Sequence, residues 1–322
     1  MKMIRCKEIC RRLEQELRQS QMLPVRVLSI YRHVVNLERK DGRLVSCMIA
    51  HEREMLVPYG MIVRSGLDLG TIKEGQEILL ALPPASERIG VWVLDVAGAE
   101  IRDMKLGMRA ALSGGREKSG RTPEKADEET AREMVGTYLR EHVKERGIGE
   151  ALEELKKGSA AAQDRSAATP GGYEGIARQQ TADRLRCFLA YLTRLGQGEL
   201  KASDRAACPN ILGMGVGLTP ASDDFMLGLL AAFQYAGDPR QVWLEDFIST
   251  YLETTTRISQ DMLAHGICRE YPSYILAFFE AEARGCMNCE ILDAFYHHGH
   301  SSGMDTLHGI GVGLRMTVET GI

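Results

Sequence analysis

Among the first twenty residues, the apolar positions Ile9, Leu13 and Leu17 recur every four residues between charged ones. That spacing predicts an amphipathic helix over residues 1–20. From Val25 the period changes. The runs VRVLSIY, HVVNLE, LVSCMIA, MLVPYGMIV, EILLAL and VWVLDV are short and β-branched, and Asp41-Gly42, Ser65-Gly66, Glu74-Gly75 and Pro83-Pro84 punctuate them. Strands separated by turns over residues 22–110 predict a small antiparallel sheet or barrel. Residues 113–122, SGGREKSGRT, have a linker's composition. Over 124–157, Met134, Tyr138, Leu139, Val143, Leu152 and Leu155 form a sparse apolar stripe, predicting one or two exposed helices broken near Gly147-Ile148-Gly149. Residues 158–175 are low in complexity and predict a mobile loop.

From Ile176 onward the period is helical, with helices expected near 177–195, 220–236, 240–265, 272–285, 288–298 and 302–317. Strands and helices do not alternate, which argues against a parallel βαβ sheet. The expected class is α+β. A β-rich domain with its leading helix fills 1–112, a linker with exposed helices and a mobile loop fills 113–175, and a helical domain fills 176–322.

Composition narrows the function. The 322 residues carry 40 basic and 44 acidic side chains, for a net charge of −4. That balance argues against binding nucleic acid or a membrane surface through a basic field. The apolar runs are too short to span a bilayer, which takes about 20 residues. The N-terminus has no continuous apolar core of the kind a secretory signal needs. Eight cysteines are scattered without framework spacing, as expected of reduced thiols in the cytoplasm.

Candidate chemistry concentrates at Asn210–Gly237. Gly213, Gly215 and Gly217 give a loop whose backbone can approach a ligand closely. Thr219 reads as an N-cap and Pro220 as the first helical residue. Asp223 and Asp224 then fall in the first turn, ahead of the apolar run Phe225–Phe233. A dinucleotide fingerprint would need a preceding strand, and a phosphate loop of the Walker type would need a lysine; neither is present. Two adjacent carboxylates about 5 Å apart repel by roughly 3 kcal/mol at an effective dielectric near 20. A cation, an arginine or a donor-rich ligand is expected to offset that.

A second stretch, Gly299 to Leu307, repeats the order of glycine, hydroxyl and acid before an apolar helix. Thr219 and Asp223, like Ser301 and Asp305, are four residues apart, so two helix starts are expected to face one pocket. His300 reads as an acid–base group, an anion ligand or a capping-loop histidine. Thr255 and Ser259 share a helix face within Thr254-Thr255-Thr256-Arg257-Ile258-Ser259, a poor helical string. Its hydroxyls either line a polar cavity or bond back to the backbone. Cys286 and Cys289 lack a second ligand pair and are expected to be free thiols. The candidate catalytic residues are Asp223, Asp224 and His300. The candidate binding residues are Gly215, Gly217, Thr219, Ser222, Thr255, Ser259, Ser301, Ser302 and Asp305. No protein metal site is expected, although a Mg²⁺ shared with a phosphate fits the acids.

The strings GMGVGLTPASDDFMLGLLAA, TTRISQDMLAHG and GHSSGMDTLHGIGVGL resemble three signature stretches of the AllH-like family, and RVLSIYRHVVNLERKDGRLVSCMIA resembles its N-terminal β region. The family pattern often has Pro at Val216 and Gly at Ser222. The family contains the H subunit of oxamate carbamoyltransferase, of anaerobic allantoin degradation and purine catabolism. The resemblance implies a transferase subunit that works with other carbamoyltransferase subunits and turns carbamoyl phosphate and oxamate into oxalurate and phosphate. Two alternatives stay open: a non-catalytic anion-binding or regulatory subunit, and a metal-dependent hydrolase using Asp223 and Asp224.

Overall fold

The computed structural model describes residues 2–51, 54–83, 90–109, 125–143, 147–160, 173–200 and 208–319. The proposed linker 113–122 and most of the loop at 158–175 lie outside them. The chain divides into two units, Met1–Lys105 with Glu270–Leu276, and Leu106–Arg269 with Ala277–Ile322. The class is α+β.

The first unit holds β1 (Lys2–Cys10), α1 (Arg11–Ser20), β2 (Met22–Ile30), β3 (Val34–Arg39), β4 (Leu44–Ile49), β5 (Gly60–Ser65), β6 (Glu77–Ala81), β7 (Val91–Asp95) and β8 (Glu100–Arg102). The order β5-β4-β3-β2-β6-β7-β1 closes through a β5–β1 pairing, and β8 adds to β1. This is a seven-stranded barrel with one extra strand. Register shifts on β1 between Arg5 and Cys6 and between Cys6 and Glu8 supply local bends that help a closed sheet turn.

Two expectations need correcting. Residues 2–10 are a strand, and the helix begins at Arg11. Ile9, Leu13 and Leu17 are all buried as their spacing required, but Ile4 and Cys6 are buried too, and that alternation places the first segment in the sheet. The sheet is also mixed, because β4–β5, β6–β7, β1–β7 and β1–β8 are parallel.

The second unit holds α2 (Lys125–Glu141), α3 (Ile148–Ala160), α4 (Tyr173–Gly196), α5 (Ala221–Ala236), α6 (Arg240–Tyr251), α7 (Arg257–Ile267), most of α8 (Ser273–Arg284), α9 (Cys289–His297) and α10 (Ser302–Glu319). The helices expected in the stretch read as a linker lie in this unit, where α2 and α3 bury Ala131, Val135, Tyr138, Ile148 and Ala151. Every residue of α5 from Ala221 to Tyr235 is buried, as a helix that is apolar on all sides must be. Gly237 ends it in the left-handed conformation. The helix expected at 240–265 is two helices, α6 and α7, broken where Thr255 goes extended.

The pairing that positions the site is α5 against α10. A Cβ on Gly228 would overlap the Thr306 carbonyl, and one on Gly309 would overlap the Phe225 carbonyl, both well inside the 3.0 Å that real Cβ contacts respect. Further along, a Cβ on Gly313 would meet the Ala232 methyl. Thr219 contacts Ser302, Phe225 and Gly228 lie against Thr306–Ile310, and Ala232 lies against Gly313, so α5 and α10 run in the same direction and their N-termini meet. No helix among the described residues is long and apolar enough to cross a membrane.

Candidate functional site

Four helix starts converge at this end of the second unit. Thr219 is not the cap of α5. Pro220 holds that position without a side-chain bond, and the Thr219 hydroxyl lies 2.8 Å from the Ser302 hydroxyl at the start of α10. A cap would have aimed Thr219 at its own helix; here it ties two helices together.

The glycine loop is fastened to α5 by its own first turn. Asp223 Oδ1 accepts from the Gly213 N–H at 2.7 Å, and the Thr255 hydroxyl donates to Asp223 Oδ2. Ser222 Oγ accepts from the Met214 N–H and donates to the Met214 carbonyl, each at 2.9 Å. Thr256 caps α7 by accepting from the Ser259 N–H, and its hydroxyl donates to the Leu218 carbonyl. Gly213, Gly215 and Gly217 all have positive φ. At Gly215 a side chain would also strike the Ala221 backbone nitrogen. The tip, residues 215–218, is exposed.

Asp223, Asp224 and Asp305 are buried, and burial pushes all three above the usual carboxylate range. For Asp223 the bonds from Thr255 and Gly213 counter that push, with smaller help from the Ser259 and Ser222 hydroxyls; Ser259 Oγ faces Asp223 without reaching full hydrogen-bond geometry. Asp224 is raised first by burial and next by the nearby Asp305 charge, while the Thr219 and Ser302 hydroxyls pull it down. Asp305 is raised to about 7 by burial, opposed by the Ile148 N–H and the Ser301 hydroxyl. Asp224 Oδ2 and Asp305 Oδ2 are buried without a hydrogen-bond partner among the described residues.

The structure thus brings together Thr219, Ser222, Asp223, Asp224, Thr255, Ser259, Ser301, Ser302 and Asp305, with Gly215 and Gly217 on the exposed loop beside them. His300 is exposed in the turn before α10, and among the described residues no contact joins it to the acids. Sequence reasoning missed Gly147 and Ile148. Asp305 Oδ1 accepts from the Ile148 N–H at 2.6 Å, which caps α3. A Cβ on Gly147 would collide with that same oxygen. The two glycines flanking Ile148 were the available signal, and they mark a close approach as well as a helix break. Among the described residues no group of three or more His, Cys, Asp or Glu is arranged to hold a metal ion. Cys286 and Cys289 are exposed free thiols.

Residues 211–314 match the family described as oxamate carbamoyltransferase subunit AllH. This segment is similar to the AllH family. The AllH match takes in the glycine loop, all three acids and the hydroxyls of α7 and α10, and stops short of the barrel. No solved structure matches the chain.

Removing the Asp223 carboxylate is expected to loosen the glycine loop. Asp223→Ala leaves the Gly213 N–H and the Thr255 hydroxyl without their acceptor, at a cost of about 1–3 kcal/mol. Chemical denaturation measures it. A variant as stable as the parent would show that these bonds do not hold the loop.

Proposed function

We propose that the chain is a subunit of a cytoplasmic carbamoyltransferase that moves the carbamoyl group of carbamoyl phosphate to oxamate, giving oxalurate and phosphate. The site is the cluster of helix starts around Asp224 and Asp305. The observation that carries this reading is the pair of buried carboxyl oxygens without partners among the described residues, set among converging helix N-termini inside the segment that matches AllH. Helix starts and a glycine loop suit the phosphate and the oxamate carboxylate, since free N–H groups and the helix dipole favour anions. Carboxyl oxygens repel those anions, but they accept hydrogen bonds from an amide NH₂, which carbamoyl phosphate and oxamate both carry. Transfer between two bound substrates needs no covalent enzyme intermediate, so positioning and charge stabilisation suffice.

Charge balance argues for partner subunits. Carbamoyl phosphate and oxamate together bring about three negative charges, and each helix start offers roughly half a positive charge. Among the described residues no cationic side chain pairs with Asp224 or Asp305. Among the described residues there is no metal cage either, so a Mg²⁺ would arrive with the substrate phosphate. We therefore expect this chain alone to release phosphate from carbamoyl phosphate and oxamate far more slowly than about 1 s⁻¹, the lower end of ordinary enzymes, with or without Mg²⁺. Robust turnover by the isolated chain would show that it supplies the missing positive charge itself. Release without oxamate would favour the hydrolase reading. Binding without turnover, even in the assembled complex, would favour a regulatory subunit.

A further inference from the structure

The three acids are not equivalent. Asp223 has both oxygens engaged, Oδ1 by the Gly213 N–H and Oδ2 by the Thr255 hydroxyl, so it anchors the loop. Asp224 and Asp305 are each 1% exposed, and each keeps one oxygen buried with no donor among the described residues. An ionised oxygen in that setting is costly, whereas a protonated carboxyl brings its own donor.

The two acids are also neighbours. The close α5–α10 crossing at Gly228 and Gly309 sets their helix starts side by side, and the Thr219–Ser302 hydroxyl contact spans the gap. Asp305 is the largest charge influence on Asp224, ahead of Asp223. Other titratable groups stand on the surrounding elements: Glu150 on α3, Arg257 on α7, His298 and His300 before α10, and His308 within it. None of them pairs with either acid. Two buried acids set side by side, with no cation paired to them among the described residues, do not both ionise readily.

We propose that Asp224 and Asp305 act as one coupled acid–base pair, sharing a single proton, and that this pair handles the proton that moves during carbamoyl transfer. The second half rests on the function proposed above. In that reaction the oxamate amide nitrogen bonds to the carbamoyl carbon while the bond from that carbon to the phosphate oxygen breaks. The nitrogen must lose one proton, and the departing phosphate gains one. The ionised member of the pair takes the proton from nitrogen. The protonated member delivers its own to the phosphate oxygen. The pair ends with one proton, as it began, and no proton is gained or lost overall. Asp223 is a positioning residue in this scheme, and His300 takes no part.

Infrared titration of the full chain without substrate tests the pair. The C=O stretch of a protonated carboxyl is expected to persist at neutral pH and to vanish in two separate steps as pH rises. Asp224→Asn or Asp305→Asn should lower the midpoint of the remaining acid by more than about one pH unit, the mark of coupling, whereas Asp223→Asn should shift it less. Absence of the band at neutral pH overturns the pair, and so does a midpoint indifferent to loss of its neighbour. Should the variants not fold, the wild-type curve still decides, because one step releasing both protons together contradicts coupling. The measurement needs no substrate, so failure of the transfer reading leaves the pair standing. Normal transfer by an Asp224→Asn enzyme would remove the proton-handling role and, with it, the transfer site proposed above, and would leave the coupled titration standing.

Discussion

Asp305→Asn is expected to make the protein more stable above neutral pH and no more stable in acid. Burial raises Asp305 to about 7 from the 3.8 of a free carboxyl. Below about pH 4 the group is protonated in both the folded and the unfolded chain, and it imposes no penalty. Between those values the unfolded chain releases its proton while the folded one keeps it, so stability falls as pH rises. Above about 7 both forms are ionised and the whole penalty applies. The displacement corresponds to roughly 4 kcal/mol. Asparagine has no proton to lose, and its Oδ1 still accepts from the Ile148 N–H, so the α3 cap survives. The expected result is a difference between variant and wild type that is near zero at pH 4 and grows to at least about 4 kcal/mol at pH 8, because the variant also relieves Asp224, read by chemical denaturation. A flat or inverted difference would show that Asp305 is not held above its ordinary range. On the proposed function the same variant loses activity, the usual relation between a stability deficit and a working site.

The second large effect lies at the helix crossing. Gly228→Ala and Gly309→Ala each place a methyl group inside a backbone carbonyl of the opposing helix. Alanine's better helix propensity returns only about 1 kcal/mol. Forcing two close-packed helices apart costs about 1–3 kcal/mol and occasionally more. The crossing is buried along its length and the clash is with backbone, so we expect net losses of about 3 kcal/mol, with displacement of the Thr219–Ser302 contact at the helix starts. Gly136→Ala is the control. It sits within α2, its added methyl would meet only the Arg140 guanidinium at 3.5 Å, and its φ is ordinary. It should gain roughly 0.5–1 kcal/mol. If Gly309→Ala unfolds no more easily than Gly136→Ala, the crossing is not what holds the two helix starts together.

Local pattern made much of this fold readable. The β-branched runs from Val25 to Val96 became strands, and helices expected at 220–236, 272–285, 288–298 and 302–317 lie within two residues of those bounds at each end. What failed was non-local. Ile9, Leu13 and Leu17 fit a helix period, and only closure of a barrel through β1 makes Ile4 and Cys6 decisive. The parallel pairings of β1 with β7 and β8 join segments some ninety residues apart in the sequence, beyond the reach of any periodicity. The site shows the same division. Two glycine-led helix starts with matching hydroxyls and acids could be read directly. Three further features could not be read. Thr219 bonds across to Ser302, Ile148 caps on Asp305 from 157 residues away, and Asp223 is saturated while Asp224 is not. Two adjacent aspartates look alike in a sequence, and their surroundings separate them.

The central claim is that Asp224 and the helix starts around it form the working site of a carbamoyltransferase. The most direct measurement is oxalurate formation from labelled carbamoyl phosphate and oxamate by the complex assembled from this chain and its partner subunits, comparing wild type with Asp224→Asn. The account predicts label in oxalurate that depends on oxamate, and a rate more than about tenfold lower in the variant, equivalent to 1.4 kcal/mol or more of lost transition-state stabilisation. Undiminished transfer by Asp224→Asn would contradict it and place the chemistry elsewhere in the complex.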